Sequence, residues 1–211
     1  MNNPVRIYVD WGGTIVIDYE LYETIARKSH NNNIQWQSPD SWDNVASIGN
    51  NNHFQMMENR FFETGNPYSG AIDVISSFCG NDGQSSESQI FVTYDNNPNI
   101  ISGNIIKKMA FAFKKMGGKA NGFYVESDKL LLAKRDKVDI FVEDDPRIAM
   151  TLANAGVHVI LLLRYWNRMF SPNRLIISKE KLPKILSNLH WAEDWYQAGI
   201  ILGNLVDSIR I

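Results

Sequence analysis

Carboxylates follow two of the apolar, strand-like runs in this sequence. The first run, VRIYVD, ends in Asp10, and two glycines come directly after Trp11. A later run, DIFVED, ends in the adjacent acids Glu143 and Asp144. An aspartate held at the end of a strand can act as a nucleophile, and neighbouring carboxylates repel each other unless water or a cation separates them. These acids are therefore candidates for nucleophilic chemistry and for binding a cation such as Mg²⁺.

A hydroxyl and a lysine lie between these acids along the chain. Thr93 ends the second apolar run, QIFVT, and Lys129 begins the helical stretch KLLLAKRDK, which also contains Lys134 and Lys137. A lysine and a hydroxyl can bind the oxygens of a phosphoryl group, and Mg²⁺ takes hard oxygen ligands. Converging at one place, these residues would suit phosphate chemistry. Threonine is also common in strands, so Thr93 taken alone is a weak signal.

A third acid after the later strand, Asp145, has a structural explanation. Pro146 follows it, a helical pattern runs over 146–155, and Gly156 comes next. An acidic N-cap, a proline at the first helical position and a glycine after the last one are typical of a short helix. Asp145 is therefore interpreted as a helix cap rather than a metal ligand.

Five near-continuous apolar runs predict strands that are covered on both faces, as in a parallel sheet. The runs are VRIYVD, QIFVTYD, NGFYVE, DIFVED and VHVILLL. Helical patterns lie between them; in 100–116 the apolar residues share one stripe, and the lysines elsewhere are interpreted as a solvated face rather than a nucleic-acid surface. The C-terminal part, 180–210, is predicted to form two helices. This alternation predicts an α/β fold with a doubly wound, mostly parallel sheet that binds ligands at the carboxyl ends of its strands.

The interval between the first two strands is too long for a single crossover. Residues 19–30 and 40–64 look helical, and the linkers beside them are polar. We therefore predict a small helical cap insert over about 16–69, in which Trp42 and Phe54 are candidates for stacking on a ligand. The core domain is then formed by the two remaining parts, 1–15 and 70–211.

Composition and charge argue against several classes of partner. The 211-residue chain has a formal net charge of −2, one cysteine, and four histidines without metal-ligand spacing. A nearly balanced charge argues against non-specific binding to nucleic acid or to an anionic membrane. The single cysteine suits a reducing compartment, the N-terminus reads as a strand rather than a signal peptide, and VHVILLL is too short to cross a bilayer. We expect a soluble, cytoplasmic protein with a small-molecule substrate and no nucleic-acid or membrane partner. The sequence carries no signal for its oligomeric state.

The order of these residues resembles the haloacid dehalogenase superfamily of phosphohydrolases. The residues that match its four motifs are Asp10 in DWGGT, Thr93 in FVTYD, Lys129, and Glu143 with Asp144 in VEDDP. Lys129 precedes Asp144 by 15 positions, which resembles the usual spacing of the family, and Lys134 stays an alternative. Downstream, GVHVILLLRYWNR is similar to the 5′(3′)-deoxyribonucleotidase-like branch, while DWGGT is close to the DWAGT of phosphonatases.

The resemblance implies a mechanism. Asp10 would attack phosphorus and form an aspartyl phosphate, while Thr93 and Lys129 would hold the transferring phosphoryl group. Backbone N–H groups of the glycine-rich turn, at Gly13 and Thr14, would add donors to the substrate. The ligands of Mg²⁺ would be the Asp10 carboxylate, the Gly12 carbonyl, Asp144, and Glu143 through a water.

The first motif departs from the usual pattern of the family, DxDGT, because Gly12 replaces the second aspartate. That aspartate is the general acid for the leaving group, and general acid–base catalysis contributes ~10²–10⁴ in rate. A phosphatase of a small phosphorylated metabolite, with nucleotides among the candidates, would need an easy leaving group or another acid, such as Asp18 or Asp95. A phosphonatase-like C–P hydrolase would need a cap lysine, and residues 15–90 contain only Lys28. The third alternative is a catalytically impaired protein that binds a phosphorylated ligand or a protein partner.

Overall fold

The computed structural model describes residues 3–16, 66–79, 87–94, 102–164, 167 and 186–211. Within these ranges the chain forms six strands and five helices. The strands are β1 (Val5–Asp10), β2 (Ser88–Tyr94), β3 (Gly122–Val125), β4 (Ile140–Glu143), β5 (His158–Leu162) and β6 (Leu189–Ala192). The helices are α1 (Ala71–Ser77), α2 (Ser102–Lys115), α3 (Lys129–Asp136), α4 (Pro146–Asn154) and α5 (Trp195–Ile209).

All six strands belong to one parallel sheet in the order β3-β2-β1-β4-β5-β6. The chain builds outward from β1 through β2 to β3, and then returns to the other side of β1 to place β4, β5 and β6. This confirms the predicted doubly wound α/β fold. The order reverses between β1 and β4, and ligands of such sheets bind in the crevice at that switch point. The two strands that end in candidate acids are therefore neighbours.

Helices cover both faces of the sheet. Ile7 and Val9 of β1 pack into a cluster that contains residues of α1, α2 and α5, whereas Tyr8 packs into a second cluster with residues of α3 and α4. Successive side chains of a strand point to opposite faces. Because both faces are buried, β1 reads as an unbroken apolar run rather than an alternating one.

The C-terminal part differs from its prediction. Of the two helices expected over 180–210, the second is present as α5, but the prediction missed the edge strand β6 at Leu189–Ala192; the part before residue 186 lies outside the described residues. Strand β6 pairs with β5 from Val159↔Leu189 to Leu162↔Ala192. Four residues are too few to show a period of two, and the strand is stabilised by pairing with a partner distant in sequence.

The helices that flank β4 have clear ends. The Asp145 side chain accepts a hydrogen bond from the Arg147 N–H, and Pro146 is the first helical residue of α4. Asp145 is thus a helix N-cap, as the sequence indicates. Helix α3 begins in the same way, since Asp128 accepts from the Leu131 N–H and Lys129 follows it at once. Among the described helices, none is long and apolar enough to span a bilayer.

The predicted cap insert lies almost entirely in residues 17–65, outside the described residues. Its two ends are visible, because Val16 forms an antiparallel bridge with Pro67 and the Tyr68 N–H donates to the Ile15 carbonyl at 2.9 Å. The chain thus leaves the core and returns to it at one place, as an insert requires. The boundaries of the insert stay a prediction, and its candidates Trp42, Phe54, Asp18 and Lys28, with Asp95 after β2, fall outside the described residues.

Candidate active site

Asp10 is the last residue of β1, and its side chain lies on the face of the sheet that α3 and α4 cover. It pairs in register with Thr93 of β2 and is 5% exposed. Trp11 points to the opposite face, where its ring is fully buried and meets Phe113 edge-on at 6.3 Å between centroids. The large indole therefore lies on the side of the sheet away from the carboxylate.

Lys129 connects the acids of β1 and β4. Its Nζ lies 2.8 Å from Asp10 Oδ1 and 2.8 Å from Glu143 Oε2, and all three side chains are almost fully buried. The start of α3 faces the carboxyl ends of these strands, so the first helical residue reaches the crevice. Lys134 and Lys137 are exposed at the other end of α3. Of the two alternatives for the third motif, the structure brings Lys129 to the acids.

The carboxylates of Glu143 and Asp144 are held in different ways. Glu143 Oε1 accepts the N–H groups of Asp144 and Asp145, both at 3.0 Å, while its other oxygen binds Lys129. Both oxygens of Glu143 are thus engaged, which suits contact with a metal through water. Asp144 Oδ1 accepts from the Thr14 hydroxyl at 2.8 Å.

Gly13 allows the close approach of Asp144. Its φ is +67°, and a Cβ at this position would lie 2.3 Å from Asp144 Oδ2. Only glycine adopts this conformation without strain, and only a residue without a side chain leaves room for the carboxylate. The glycine of the motif is therefore required by the acid of another loop.

The donor set of the site fits a divalent cation. Asp10, Glu143 and Asp144 are buried, and one carboxylate oxygen from each lies within 4.8 Å of the others. Lys129 supplies one positive charge against three negative ones. Buried like charges are costly unless a cation or protons compensate them. Oxygen ligands of this kind are those that Mg²⁺ binds, so the residues present fit the predicted metal.

The turn after β1 presents three consecutive backbone donors. The Trp11 N–H donates to the Thr93 carbonyl at 2.8 Å, and the Trp11 carbonyl accepts from residues 15 and 16 at 3.0 and 3.2 Å. Between these bonds, the N–H groups of residues 12–14 form no backbone hydrogen bond of good geometry within the part of the chain that the structure describes, although Gly12 and Val16 form an isolated parallel bridge. Successive free N–H groups in a turn form a concave site for anions. This turn, which we call the N–H turn (residues 12–14), lies directly beside Asp10.

Comparison with known proteins found solved structures of similar fold. No family model and no curated protein matches the chain. L-2-haloacid dehalogenase from Xanthobacter autotrophicus superposes with a TM-score of 0.57 at 8% identity, covering 95% of this chain and 98% of that one. CbbY from Rhodobacter sphaeroides, in complex with xylulose 1,5-bisphosphate, gives 0.54 at 10% identity, covering 92% and 97%. A haloacid dehalogenase-like hydrolase from Streptococcus pneumoniae gives 0.54 at 10%, covering 96% and 100%.

The chain has the haloacid dehalogenase-like fold. This agrees with the family suggested by the order of the motif residues, and at these identities the likeness concerns the fold. The narrower resemblances, to deoxyribonucleotidases and to the phosphonatase motif, stay predictions.

Within this haloacid dehalogenase-like fold, Thr93 is close to the site but is engaged elsewhere. It is fully buried beside Asp10, and its hydroxyl donates to the Val9 carbonyl of the neighbouring strand at 3.3 Å. That contact is long for a hydroxyl donor. A role in holding a phosphoryl oxygen would require the hydroxyl to rotate away from the Val9 carbonyl.

Three residues that sequence reasoning did not single out support the same loops. The buried Arg164 donates to the carbonyls of Gly13 and Thr14 at 2.9 and 3.0 Å. Asn167 Nδ2 donates to the Asp144 carbonyl at 2.7 Å, and Trp195 Nε1 to the Thr14 carbonyl at 2.9 Å. Arg164 and Asn167 lie in the GVHVILLLRYWNR stretch, whose family resemblance gave neither residue a role, and Trp195 had no signal.

Proposed function

We propose that the chain is a Mg²⁺-dependent phosphohydrolase that acts on a small phosphorylated metabolite through an aspartyl phosphate at Asp10. The observation that carries this proposal is the buried cluster in which Lys129 joins Asp10 to Glu143, with Asp144 alongside. The N–H turn next to Asp10 adds donors for an anion. A nucleophile, cation ligands and anion donors together suit transfer of a phosphoryl group.

The acids and one carbonyl would hold the metal. Asp10, Asp144 and the carbonyl of Gly12 would be its direct ligands, and Glu143 would contact it through water. Bound Mg²⁺ supplies positive charge that offsets the charge of the phosphoryl oxygens.

The reaction proceeds in two displacements at phosphorus. A carboxylate oxygen of Asp10 attacks phosphorus while the bond to the leaving oxygen breaks, which leaves an aspartyl phosphate and a free leaving group. Lys129 and the N–H turn hold the equatorial oxygens in place. Water then attacks phosphorus, the Asp10 carboxylate departs, and inorganic phosphate is released.

The leaving group is the part of the substrate that Gly12 restricts. No carboxyl stands at position 12 to protonate the leaving oxygen. An acyl or aryl phosphate releases a stable anion and needs no proton, whereas an alkyl phosphate such as a nucleoside monophosphate releases an alkoxide and does. Acyl or aryl phosphates are therefore the preferred substrate class.

Halide release is a second candidate, because a halide also leaves without a proton. A chain of the same fold is named an L-2-haloacid dehalogenase. A 2-haloacid carries a carboxylate. Three buried acids with one lysine would repel this anionic substrate in the absence of a cation. This charge favours the metal-dependent phosphoryl reaction. A protein that binds a phosphorylated ligand without turnover stays the non-enzymatic alternative, and a phosphonatase ranks lower.

A leaving-group series tests the proposal. Initial rates are measured with Mg²⁺ for acyl, aryl and alkyl phosphates and phosphonoacetaldehyde, and without metal for a 2-haloacid. Wild type should turn over acyl and aryl phosphates far faster than alkyl phosphates. Gly12→Asp should flatten that dependence, recovering on the order of 10²-fold on alkyl esters. Among the described glycines, those with positive φ are residues 13, 70, 117 and 156, so a side chain at position 12 meets no such strain.

The control is Asp10→Asn, which removes the nucleophile and should abolish turnover while circular dichroism shows an intact fold. Turnover of the 2-haloacid alone would replace the proposal by the dehalogenase. No turnover of any substrate by wild type or Gly12→Asp, with Mg²⁺ bound, would favour the binding protein.

A further inference from the structure

The buried guanidinium of Arg164 donates hydrogen bonds to backbone carbonyls of the N–H turn. Arg164, two residues after β5, is 8% exposed. Its Nε donates to the Gly13 carbonyl at 2.9 Å and a terminal nitrogen donates to the Thr14 carbonyl at 3.0 Å. The guanidinium carbon also lies over the Tyr68 ring, 3.7 Å from its centroid. Burying a charged group is costly, and here the cation contacts two carbonyls and an aromatic face.

The residues around Arg164 are fixed in turn. The Arg164 N–H donates to Asn167 Oδ1 at 2.6 Å, and Asn167 Nδ2 donates to the carbonyls of Leu162 and Asp144 at 2.8 and 2.7 Å. The short segment after β5 therefore holds both the turn after β1 and the loop after β4. Arg164 is anchored at its own backbone while its side chain reaches across to Gly13.

Peptide geometry converts these contacts into an orientation of the N–H turn. In a trans peptide the C=O and N–H groups point in opposite directions. With the Gly13 carbonyl held by Arg164, the Thr14 N–H of the same peptide must point away from the guanidinium. Within the described residues, this N–H makes no backbone hydrogen bond. The next peptide is also fixed, since the Thr14 carbonyl is bound by Arg164 and Trp195 and the Ile15 N–H donates to the Trp11 carbonyl.

We propose that Arg164 is a positioning residue that orients the N–H turn for binding the phosphoryl group. This inference rests on the proposed function. It requires arginine, because the planar fork reaches two carbonyls and stacks on Tyr68 at the same time, whereas an ammonium group is a point charge. Arg164 acts through Gly13 and Thr14 and does not touch the substrate.

The test compares Arg164→Met and Arg164→Lys with Arg210→Met. Arg210 pairs with Glu87 beyond the amino end of β2, so its replacement is a matched control for losing an arginine. Calorimetry gives the affinity for Mg²⁺ alone and for inorganic phosphate in the presence of Mg²⁺. Loss of a supporting group around a site typically costs about 10–100-fold, so phosphate should bind Arg164→Met weaker by that factor. Arg164→Lys should fall between this variant and wild type, and Arg210→Met should match wild type.

Two readouts separate orientation from general damage. Mg²⁺ affinity should fall much less than phosphate affinity in Arg164→Met, because the carboxylates of Asp10 and Asp144 stay in place and Arg164 does not bind the Gly12 carbonyl. A disrupted fold would lose both ligands together. Amide hydrogen exchange of the ligand-free protein should show faster exchange in residues 11–16 of Arg164→Met than in Arg210→Met. Unchanged phosphate affinity with unchanged exchange would overturn the proposal, as would equal loss of Mg²⁺ and phosphate.

Tyr68 gives a second route if Arg164→Met does not fold. Tyr68→Phe keeps the ring under the guanidinium, and Tyr68→Leu removes it. Phosphate affinity should follow the order wild type, Tyr68→Phe, Tyr68→Leu; equal affinity for the two variants, together with wild-type affinity in Arg164→Lys, would overturn the proposal. If wild type binds neither Mg²⁺ nor phosphate, the proposed function fails, and the exchange measurement still decides whether Arg164 orders the turn.

Discussion

The ammonium group of Lys129 is shared between two carboxylates, so a single positive charge serves both acids. It lies 2.8 Å from an oxygen of Asp10 and 2.8 Å from an oxygen of Glu143, while Asp144 binds the Thr14 hydroxyl. The cluster of three acids and this lysine is therefore anionic when all groups are charged. In the proposed reaction the phosphoryl group is anionic as well, so Asp10 could approach phosphorus only with a cation that offsets both charges. The proposal of a metal rests on this excess of negative charge.

Gly13→Ala should weaken Mg²⁺ binding by about 10–100-fold, the usual cost of disturbing a group that supports a metal ligand. A Cβ at Gly13 would lie 2.3 Å from Asp144 Oδ2, so the carboxylate must move and its bond to the Thr14 hydroxyl must distort. Calorimetric titration of the purified variant with Mg²⁺ measures the change.

Gly117→Ala is the matched control for this substitution. Gly117 has a similar φ of +83°, but a Cβ there meets no atom within 4 Å. Both variants should lose roughly 1–2 kcal/mol of stability through the left-handed backbone, and only Gly13→Ala should lose Mg²⁺. Equal Mg²⁺ affinity in the two variants would mean that Asp144 does not need the space above Gly13.

The sequence predicts the candidate site residues better than the residues that support them. Asp10, Glu143 and Asp144 can be located because each ends or follows an apolar run, and Lys129 because its distance from Asp144 along the chain resembles the spacing in the haloacid dehalogenase superfamily. Arg164 has no such local signal, since its side-chain partners Gly13 and Thr14 are 151 and 150 positions away. Contacts between residues this far apart in the sequence can be predicted only once the strand order of the sheet is known.

Among the elements, the central strands are easier to predict from the sequence than the strand at the edge of the sheet. Strands β1, β2, β4 and β5 are buried on both faces, and their apolar runs predict them without further information. Strand β6 is four residues long and, among the described strands, pairs only with β5. Its LHWA sequence carries no clear period, and the pairing that makes it a strand comes from a distant segment. The site survives this error because β6 contributes no candidate ligand.

The pairing of β5 with β6 brings together His158 and His190, whose rings stack at 6.1 Å between centroids. Burial first, and the neighbouring His158 second, lower the pKa of His190 from its ordinary 6.5. The unfolded chain keeps the ordinary pKa and so takes up a proton that the folded chain does not. Stability should therefore be complete above about pH 6.5 and fall as the pH drops toward the lowered pKa.

Two variants measure this effect by thermal denaturation between pH 7.5 and 5. His190→Gln should lose less stability over that interval than wild type, because the titrating group is gone. His158→Gln should alter the pH dependence of stability less than His190→Gln does, because it removes the lesser cause of the pKa shift and leaves His190 buried. A wild-type pH dependence identical to that of His190→Gln would show that the pKa of His190 is the same in the folded and unfolded chain.

On the scale of the whole molecule, the site is a meeting point of separate elements. Asp10 belongs to β1, Lys129 to α3, and Glu143 with Asp144 to the end of β4, while Arg164 follows β5. Folding alone brings these charges together, so the repulsion among the acids is a cost that the unfolded chain does not carry. A cation that binds the cluster stabilises the folded state and not the unfolded one. The global stability of the protein therefore reports on the site.

Asp144→Asn should make the protein more stable than wild type without Mg²⁺ and less stable than wild type when Mg²⁺ is added. The amide oxygen can still accept from the Thr14 hydroxyl, while one of the three negative charges is lost. In EDTA the variant should melt a few degrees higher than wild type, since about 1 kcal/mol shifts Tm by roughly 2–4 °C in a chain of this size. With Mg²⁺ at a hundred times Kd, wild type should gain about 2.7 kcal/mol and overtake the variant. Asp145→Asn is the control, because this cap pairs with Arg147 outside the cluster and should respond to Mg²⁺ as wild type does. If Asp144→Asn melts lower than wild type in both conditions, the three acids do not repel each other and the cluster is not a cation site.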